Sequence, residues 1–375
     1  MKKHIHISLV GGQPVPAYLG ITYTKPDKII LICSVQSAEE AHRIASYSLD
    51  IPTEIRQIAP VDIKQIETDV ATLRQQVADD QVSINLTGGT KPWSLLFYIG
   101  FKTHSDIHFY YISQNNQITD LETKECHLLK MDRQIQFQLY GNPLIHFKRF
   151  TEYTNEDKTV CQEIEQARRY NFKSFKELTT VLKPNDAHKV RNSKQGEIIL
   201  PDGEGVRWDK TEQTVWLSLY HTYKGWRDFT WTSPHVISLV FFSGWFEFTI
   251  ANALNQNPKV QQLWMNCEFT ASNNAPKNET DIIADMGSKL LFVECKTQIR
   301  EIREIDKFRS ALKNYGGMGS KGLFVTYAPL PDIALEKCKD NGISSFHFDS
   351  QKSFTANSKA LNQLVDKILL STNIR

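Results

Sequence analysis

Two charged residues near position 295 have types and spacing that could do chemistry. Glu294 and Lys296 are separated by one residue in an apolar, strand-like segment. Successive side chains of a strand point to opposite faces, so the carboxylate and the ammonium project from the same face. Such a lysine could orient or help deprotonate an attacking water, or stabilise charge that develops on a phosphate. The pair indicates a hydrolytic site, although an ordinary hairpin with exposed charges has the same letters.

A third charged residue joins this pair if the chain makes a tight turn just before it. Gly287–Ser288 suits a two-residue hairpin loop, which makes Met286 the partner of Lys289. Counting outward, Asp281 then lies directly across from Glu294, with Cβ atoms about 4.5–5.5 Å apart. Two converging carboxylates repel each other, and a divalent cation such as Mg²⁺ or Mn²⁺ would offset that repulsion. The hairpin is therefore predicted to bind a metal ion.

The surroundings of the hairpin favour a site over a surface strand. Leu290–Val293 is an apolar run, typical of a strand that is covered on both faces. Upstream, Val236–Leu254 is predicted to be one largely apolar helix in which Glu247 is the only ionisable side chain. A lone carboxylate among aromatic residues suggests another member of the site. Gln298, two positions past Lys296, is expected to contact substrate or water.

This arrangement resembles the PD-(D/E)xK restriction-endonuclease-like superfamily, with Thr280 in place of the usual proline. The resemblance implies a restriction-endonuclease-like domain over residues 235–375 and a metal-dependent endonuclease activity. It implies that Asp281 and Glu294 bind the metal, with the carbonyl of Cys295 as a third ligand. The expected catalytic residues are Glu247, Asp281, Glu294, Lys296 and Gln298.

Length and composition restrict the class of protein. A chain of 375 residues exceeds the size at which one core keeps growing, so two or three domains are expected. No stretch approaches a membrane span, and the chain begins with the strand-like His4–Val10, which predicts a cytoplasmic protein with no membrane partner. The six cysteines lack paired metal spacing and suit reduced packing thiols rather than a zinc site. Because the net charge is +2, any contact with nucleic acid must be local.

The first 140 residues alternate between strand and helix patterns, which predicts a parallel α/β sheet with a closing hairpin. The predicted strands are His4–Val10, Lys28–Cys33, Thr53–Ile58, Val82–Leu86 and Ile107–Ile112, with helices at Ala38–Leu49 and Val61–Val77 and the hairpin at Gln117–Leu121 and Cys126–Met131.

Two loops rich in glycine lie at the carboxyl ends of these strands, where open sheets bind ligands. Gly11–Gln13 follows the first strand, and Thr87–Lys91 runs into a helix whose first turn accepts Pro92. Backbone amides, hydroxyls, the helix N-terminus and Lys91 suit a phosphate, although the Walker A spacing is missing. A plain strand-to-helix connection is the alternative.

This first module resembles the CARF domains that sense cyclic oligoadenylates in type III CRISPR immunity, and the resemblance covers residues 1–142. A Rossmann-like CARF domain ahead of a PD-(D/E)xK module is similar to the CARF-nuclease ancillary effectors of those systems. The resemblance implies a homodimer with one symmetric pocket for a cyclic oligoadenylate, above all cyclic tetra-adenylate, that switches on cleavage of DNA and/or RNA. The expected pocket residues are Gly11, Gly12, Gln13, Ser34, Thr87, Gly88, Gly89, Thr90 and Lys91.

Residues 143–234 form a mixed α/β connecting region in this interpretation. It is predicted to contain a charged helix at Lys158–Leu182, a polar linker at Lys183–Gly196 and strands within Glu197–Tyr223. Two other functions stay open for the whole chain. A ligand-sensing regulator with a degenerate nuclease fold would be expected to lose a carboxylate of the site, and a stand-alone restriction-type endonuclease would leave the glycine loops unexplained.

Overall fold

Three β-sheets organise the chain in the computed structural model, which describes residues 2–48, 50–180, 184–270, 278–317 and 319–370. The first sheet has the order β3-β2-β1-β4-β5-β6-β7, with parallel pairing through β5 and antiparallel pairing beyond it. Its strands are β1 (His4–Leu9), β2 (Lys28–Cys33), β3 (Thr53–Gln57), β4 (Gln81–Asn85), β5 (Ile107–Ile112), β6 (Gln117–Asp120) and β7 (Cys126–Leu128). The predicted parallel sheet and closing hairpin are confirmed.

Helices cover both faces of this sheet. They are α1 (Pro14–Thr24), α2 (Ala38–Tyr47), α3 (Ile63–Gln76), α4 (Lys91–Phe101) and α5 (Arg133–Leu139). Strand β2 is apolar on both sides, with Ile30 in one core and Ile29 in another. Strand β1 places Ile7 in the first of these cores and turns the buried polar side chains of His6 and Ser8 to the opposite face. Helix α1 is not among the predicted elements; it begins with a proline, which the first turn of a helix tolerates.

The next segment begins with strand β8 (Leu144–Arg149) and continues with three helices and a four-stranded antiparallel sheet. The helices are α6 (Asn155–Tyr170), α7 (Phe172–Thr179) and α8 (Pro184–Asn192), and the strands are β9 (Gln195–Ile199), β10 (Gly205–Asp209), β11 (Thr214–His221) and β12 (Gly225–Thr232).

Two predictions for this segment are wrong. The single helix predicted at Lys158–Leu182 is divided at Asn171, whose backbone is extended and whose side chain caps α7 by accepting from Ser174 N–H. The polar linker predicted at Lys183–Gly196 holds α8 over residues 184–192 and the start of β9, while residue 183 lies outside the described part of the chain. Polar composition alone did not distinguish an amphipathic surface helix from a linker.

The third sheet has the order β17-β16-β15-β14-β13-β8. Strand β8, from the predicted connecting region, forms its edge by pairing with β13. The remaining elements are the helices α9 (Val236–Phe241), α10 (Gly244–Leu254), α11 (Arg303–Tyr315), α12 (Asp332–Asp340) and α13 (Phe354–Leu370) and the strands β13 (Gln262–Phe269), β14 (Asn278–Asp285), β15 (Leu290–Lys296), β16 (Lys321–Thr326) and β17 (Ile343–His347).

Strand β15 is buried on both faces, as its apolar run predicts. Leu291 and Val293 belong to the core that α10 covers, whereas Leu290 and Phe292 belong to the core under α11. The single helix predicted at Val236–Leu254 is wrong, because the chain breaks into α9 and α10 at Ser243, whose φ is +62°. No helix in the described ranges is long and apolar enough to cross a membrane.

Candidate active site and glycine-rich loops

The hairpin of β14 and β15 has the predicted register. Met286 N–H donates to the carbonyl of Lys289 at 2.9 Å, and Gly287 has a φ of +84°, a region that favours glycine. The paired residues run from Asp285–Leu290 to Ile282–Val293. Asp281 and Glu294 are the next positions outward, so the turn chemistry places the two carboxylates at the same level of the hairpin.

The side chains of the hairpin meet in one charged cluster. Lys296 Nζ lies 2.5 Å from Glu294 Oε1 and 3.5 Å from Asp281 Oδ2. Asp281 is 9% exposed, and its Oδ2 also accepts from Cys295 N–H at 2.7 Å. The strand period thus brings Glu294 and Lys296 together, and the turn brings Asp281 to both.

Glu247 enters this cluster from the first turn of α10 and is buried. Asn266 Nδ2 donates to Glu247 Oε2 at 3.0 Å. Asn266 has a φ of +51° and interrupts the pairing of β13, which lets its side chain leave the regular pattern of the strand. Asn266 is not among the predicted site residues, because the tolerance of Asn for positive φ is a weak signal by itself.

Burial and mutual repulsion change the proton affinities of these groups. Burial, followed by the negative charge of Asp281, raises the pKa of Glu294 to about 8. The same two causes raise the pKa of Glu247 well above its usual range. Burial alone would lower the pKa of Lys296, but Asp281 and Glu294 outweigh it and raise that pKa. The cluster therefore holds more carboxylates than one ammonium can neutralise.

These residues fit a metal ion that takes few ligands from the protein. In the part of the chain that the structure describes, no three acidic, His or Cys side chains are arranged to hold an ion by themselves. Mg²⁺ commonly uses one or two carboxylates and completes its shell with waters and substrate phosphates. Asp281 and Glu294 supply such oxygens, and together with Glu247 they give the cluster three carboxylates against the single ammonium of Lys296. The carbonyl of Cys295 as a third ligand stays a prediction.

A cavity of about 820 Å³ opens beside the charged cluster. The predicted residues Glu247, Lys296 and Gln298 line it, and Lys176 Nζ donates to Gln298 Oε1 at 3.4 Å. Another wall comes from α6 and α7, which contain none of the predicted site residues. The wall residues with cationic or aromatic side chains are Arg168, Arg169, Phe172, Phe175 and Lys176.

Arg168 holds α6 against this cavity. Its guanidinium lies 4.1 Å from the ring centre of Trp245 and 4.2 Å from that of Tyr327. Glu165 pairs with Arg168 at 3.1 Å and accepts from the hydroxyl of Tyr327 at 2.6 Å. Arg169 also pairs with Glu165, at 3.0 Å, and donates to the carbonyl of Ser350, but its side chain is 63% exposed. Arg168 therefore fixes the wall, while the more exposed Arg169 and Lys176 add cationic side chains to the lining of the cavity.

The two glycine-bearing loops lie side by side because β1 and β4 are parallel neighbours. A Cβ at Gly88 would overlap the carbonyl oxygen of Leu9, and one at Gly11 would lie 3.0 Å from the backbone nitrogen of Gly89. The backbones are thus in direct contact, which only glycine permits at position 88. Gly12 and Lys91 are exposed beside this contact.

The hydroxyl and amide groups predicted for the pocket also serve the fold. Thr87 accepts from Ile112 N–H at 2.7 Å, and Thr90 caps α4 while donating to the carbonyl of Pro60 at 2.8 Å. Ser34 is buried and bonded to Ser37 in a short turn. A Ser or Thr hydroxyl has one donor and two acceptor positions, so Thr87 keeps a donor for a ligand. Gln13 Oε1 accepts from the hydroxyl of Tyr140 at 2.6 Å.

Comparisons with solved structures find several chains of similar fold. Can2 from Sulfobacillus thermosulfidooxidans, solved in complex with cyclic tetra-adenylate, has a TM-score of 0.68 at 18% identity, covering 98% of this chain and 100% of that chain. Protein VC1899 from Vibrio cholerae has a TM-score of 0.73 at 16% identity, covering 97% and 98% of the two chains. A type III CRISPR defence DNA nuclease activated by cyclic oligoadenylate has a TM-score of 0.55 at 17% identity, covering 94% of this chain and 52% of that chain.

At these identities the similarity establishes a shared fold over almost the whole chain. No curated protein matches the sequence. The family model of the Card1 CARF domain matches residues 5–140, which hold both glycine-bearing loops. This chain is therefore a CARF-containing protein, with a CARF domain of the Card1 type at residues 5–140.

Proposed function

We propose that this protein is a metal-dependent nuclease of type III CRISPR defence that a cyclic oligoadenylate activates. The observation that carries the proposal is the meeting of Asp281, Glu294 and Lys296 on one hairpin, beside an open cavity and on the same chain as a CARF domain. We assign the C-terminal module, residues 235–375 with β8 at the edge of its sheet, to the PD-(D/E)xK superfamily. Residues 1–142 are the sensor, and residues 143–234 connect the two.

Each residue of the cluster has a defined task in phosphodiester hydrolysis. Asp281 and Glu294, with the carbonyl of Cys295, would hold Mg²⁺ or Mn²⁺. When bound, such an ion lowers the pKa of water and offsets the charge that develops on the phosphate. Lys296 stays protonated because its pKa is raised, so it acts on the phosphate as a fixed cation.

Two further residues complete the site. Glu247 adds a third carboxylate from α10, held in place by Asn266. Gln298 lies at the mouth of the cavity, where its amide can orient the substrate and where Lys176 already contacts it. Lys176 and Arg169 give the wall of α6 and α7 the positive charge that a nucleic-acid backbone requires, while the whole chain stays near neutral.

The CARF domain supplies the control. The neighbouring Gly11–Gln13 and Thr87–Lys91 loops present backbone amides, Lys91 and the N-terminus of α4 to one surface, which suits phosphates. Two copies of the chain related by a two-fold axis would offer the same loops to both halves of a ring. Cyclic tetra-adenylate is the proposed activator, since Can2 of the same fold was solved with it.

Substitution at the hairpin tests the catalytic assignment. Glu294→Ala and Lys296→Ala should each abolish Mn²⁺-dependent cleavage of DNA and RNA while binding of cyclic tetra-adenylate, measured by calorimetry, is unchanged. Glu336→Ala, which removes an exposed carboxylate of α12, is the matched control and should cleave like the wild type. If both hairpin variants cleaved at the rate of the wild type, this site would be excluded. If the cleavage rate of the wild type were the same with and without the ligand, a stand-alone endonuclease would be favoured.

A further inference from the structure

Helix α5 belongs to two hydrophobic cores at once. Leu139 is fully buried in the core of the CARF domain, together with Met131 just before the helix. Phe137 is fully buried in the core of the third sheet, where its ring lies 5.2 Å from that of Phe269. A helix that packs into both cores cannot shift in one of them without disturbing the other.

The N-terminal end of α5 holds the turn of the catalytic hairpin. Arg133 has a side chain that is 5% exposed, and its Nη2 lies 2.8 Å from Asp285 Oδ1 and also donates to the carbonyl of Gly287. Asp285 accepts from Gly287 N–H at 2.9 Å in addition. Arg133 therefore fixes the turn that sets the pairing of Asp281 with Glu294, although it touches neither of them.

The other end of α5 reaches the first glycine loop. Tyr140, which follows the helix, donates its hydroxyl to Gln13 Oε1. Its ring lies against the loop after α11, where a Cβ at Gly317 would be 2.6 Å from the hydroxyl oxygen. Next along the chain, Asn142 Nδ2 donates to the carbonyl of Asn314 at 2.9 Å. One short segment thus contacts the ligand loop, helix α11 and the loop that follows α11.

We propose that Arg133 is a positioning residue of the catalytic hairpin, and that α5 connects it to the occupancy of the Gly11–Gln13 loop. The physical step is competition, because a hydroxyl or amino group of the ligand that donates to Gln13 Oε1 would displace the Tyr140 hydroxyl from that oxygen. Release of Tyr140 lets α5, a helix of about two turns, move as a rigid body, and Arg133 carries that movement to Asp285 and Gly287. This inference rests on the proposed function and names the element that regulates its site.

Tyr140→Phe tests the connection, since it removes one hydroxyl and leaves the packing of the ring. The ratio of nuclease activity with and without cyclic tetra-adenylate should change at least tenfold, while the affinity for that ligand changes less than threefold. Tyr170→Phe is the control, because the Tyr170 hydroxyl makes one comparable bond, to the carbonyl of Gly225 at 2.9 Å, away from α5. An activation ratio equal to that of the wild type would overturn the proposal.

A second readout does not depend on activity. Ligand addition should change hydrogen–deuterium exchange at residues 286–292 in the wild type, and the change should be lost in Arg133→Gln and restored in part by the conservative Arg133→Lys. The role of α5 would be contradicted if the ligand did not change exchange in the wild-type hairpin. It would also be contradicted if the ligand changed exchange equally in the wild type and in Arg133→Gln. A wild type whose hairpin responds to the ligand without cleaving nucleic acid would instead contradict the proposed nuclease and support the connection.

Discussion

Glu294 should make the stability of the protein depend on pH, and Glu294→Gln should remove that dependence. Burial, followed by the charge of Asp281, raises the pKa of Glu294 from 4.5 to about 8. The folded protein therefore binds this proton more tightly than the unfolded chain does. The resulting stability is fully present below about pH 4.5 and is lost as the pH rises through about 8.

The size of the effect follows from the shift. One pKa unit corresponds to about 1.36 kcal/mol, so between about pH 5 and pH 8 the wild type should lose about 3 kcal/mol of unfolding free energy relative to Glu294→Gln. The Glu294 side chain is 15% exposed, so solvent screens this effect only slightly. The difference in unfolding free energy between the two proteins is taken at each pH. Titrating groups that occur in both proteins and do not interact with position 294 then contribute nothing to this difference.

Urea unfolding in the presence of a metal chelator is the appropriate assay. Trp245 and Trp264 lie in the cores on the two sides of the third sheet, so the unfolding that exposes the hairpin changes the tryptophan fluorescence. Glu336→Gln, at an exposed position of α12, should follow the wild type across the pH range. Parallel curves for the wild type and Glu294→Gln would refute the reasoning about burial and charge at this site.

Four other substitutions have defined outcomes. Gly88→Ala places a Cβ against the carbonyl of Leu9 and should lower the free energy of unfolding by about 1–3 kcal/mol, measured by thermal unfolding. Gly12→Ala has no atom within 4 Å of the new Cβ and should lower it little. Equal melting temperatures for the two variants would contradict the contact between the loops. Lys176→Ala should raise KM for nucleic acid and reduce the slope of log affinity against log salt concentration by about one. An unchanged slope would show that Lys176 does not contact the substrate. Glu247→Gln should raise the Mn²⁺ concentration for half-maximal activity about tenfold, and an unchanged Mn²⁺ titration would exclude Glu247 from the metal site.

The parts that the sequence predicted depend on local rules. A two-residue turn at Gly287–Ser288 and the two-residue period of a strand were enough to pair Met286 with Lys289 and to bring Asp281 near Glu294. The alternation of strands and helices in the first 140 residues likewise follows from short-range patterns. These features need no knowledge of distant segments.

The parts that the sequence did not predict depend on contacts between distant segments or on backbone angles without a residue signature. The break between α9 and α10 uses a positive φ at Ser243, a residue that usually avoids it. The cavity wall brings Arg169 and Lys176 to Lys296 across more than a hundred residues. Arg133 and Asp285 are separated by 152 positions, so the sequence around either residue does not predict its contact with the other.

The central claim is that one chain both senses a cyclic oligoadenylate and cuts nucleic acid. The most direct measurement is the initial rate of DNA and RNA cleavage by the purified protein in Mn²⁺, with and without cyclic tetra-adenylate and the other ring sizes. Stimulation by at least one ring, lost in Lys296→Ala while that ring still binds, is the predicted result. Cleavage at the same rate with and without every ring, or binding without any cleavage, would contradict the claim.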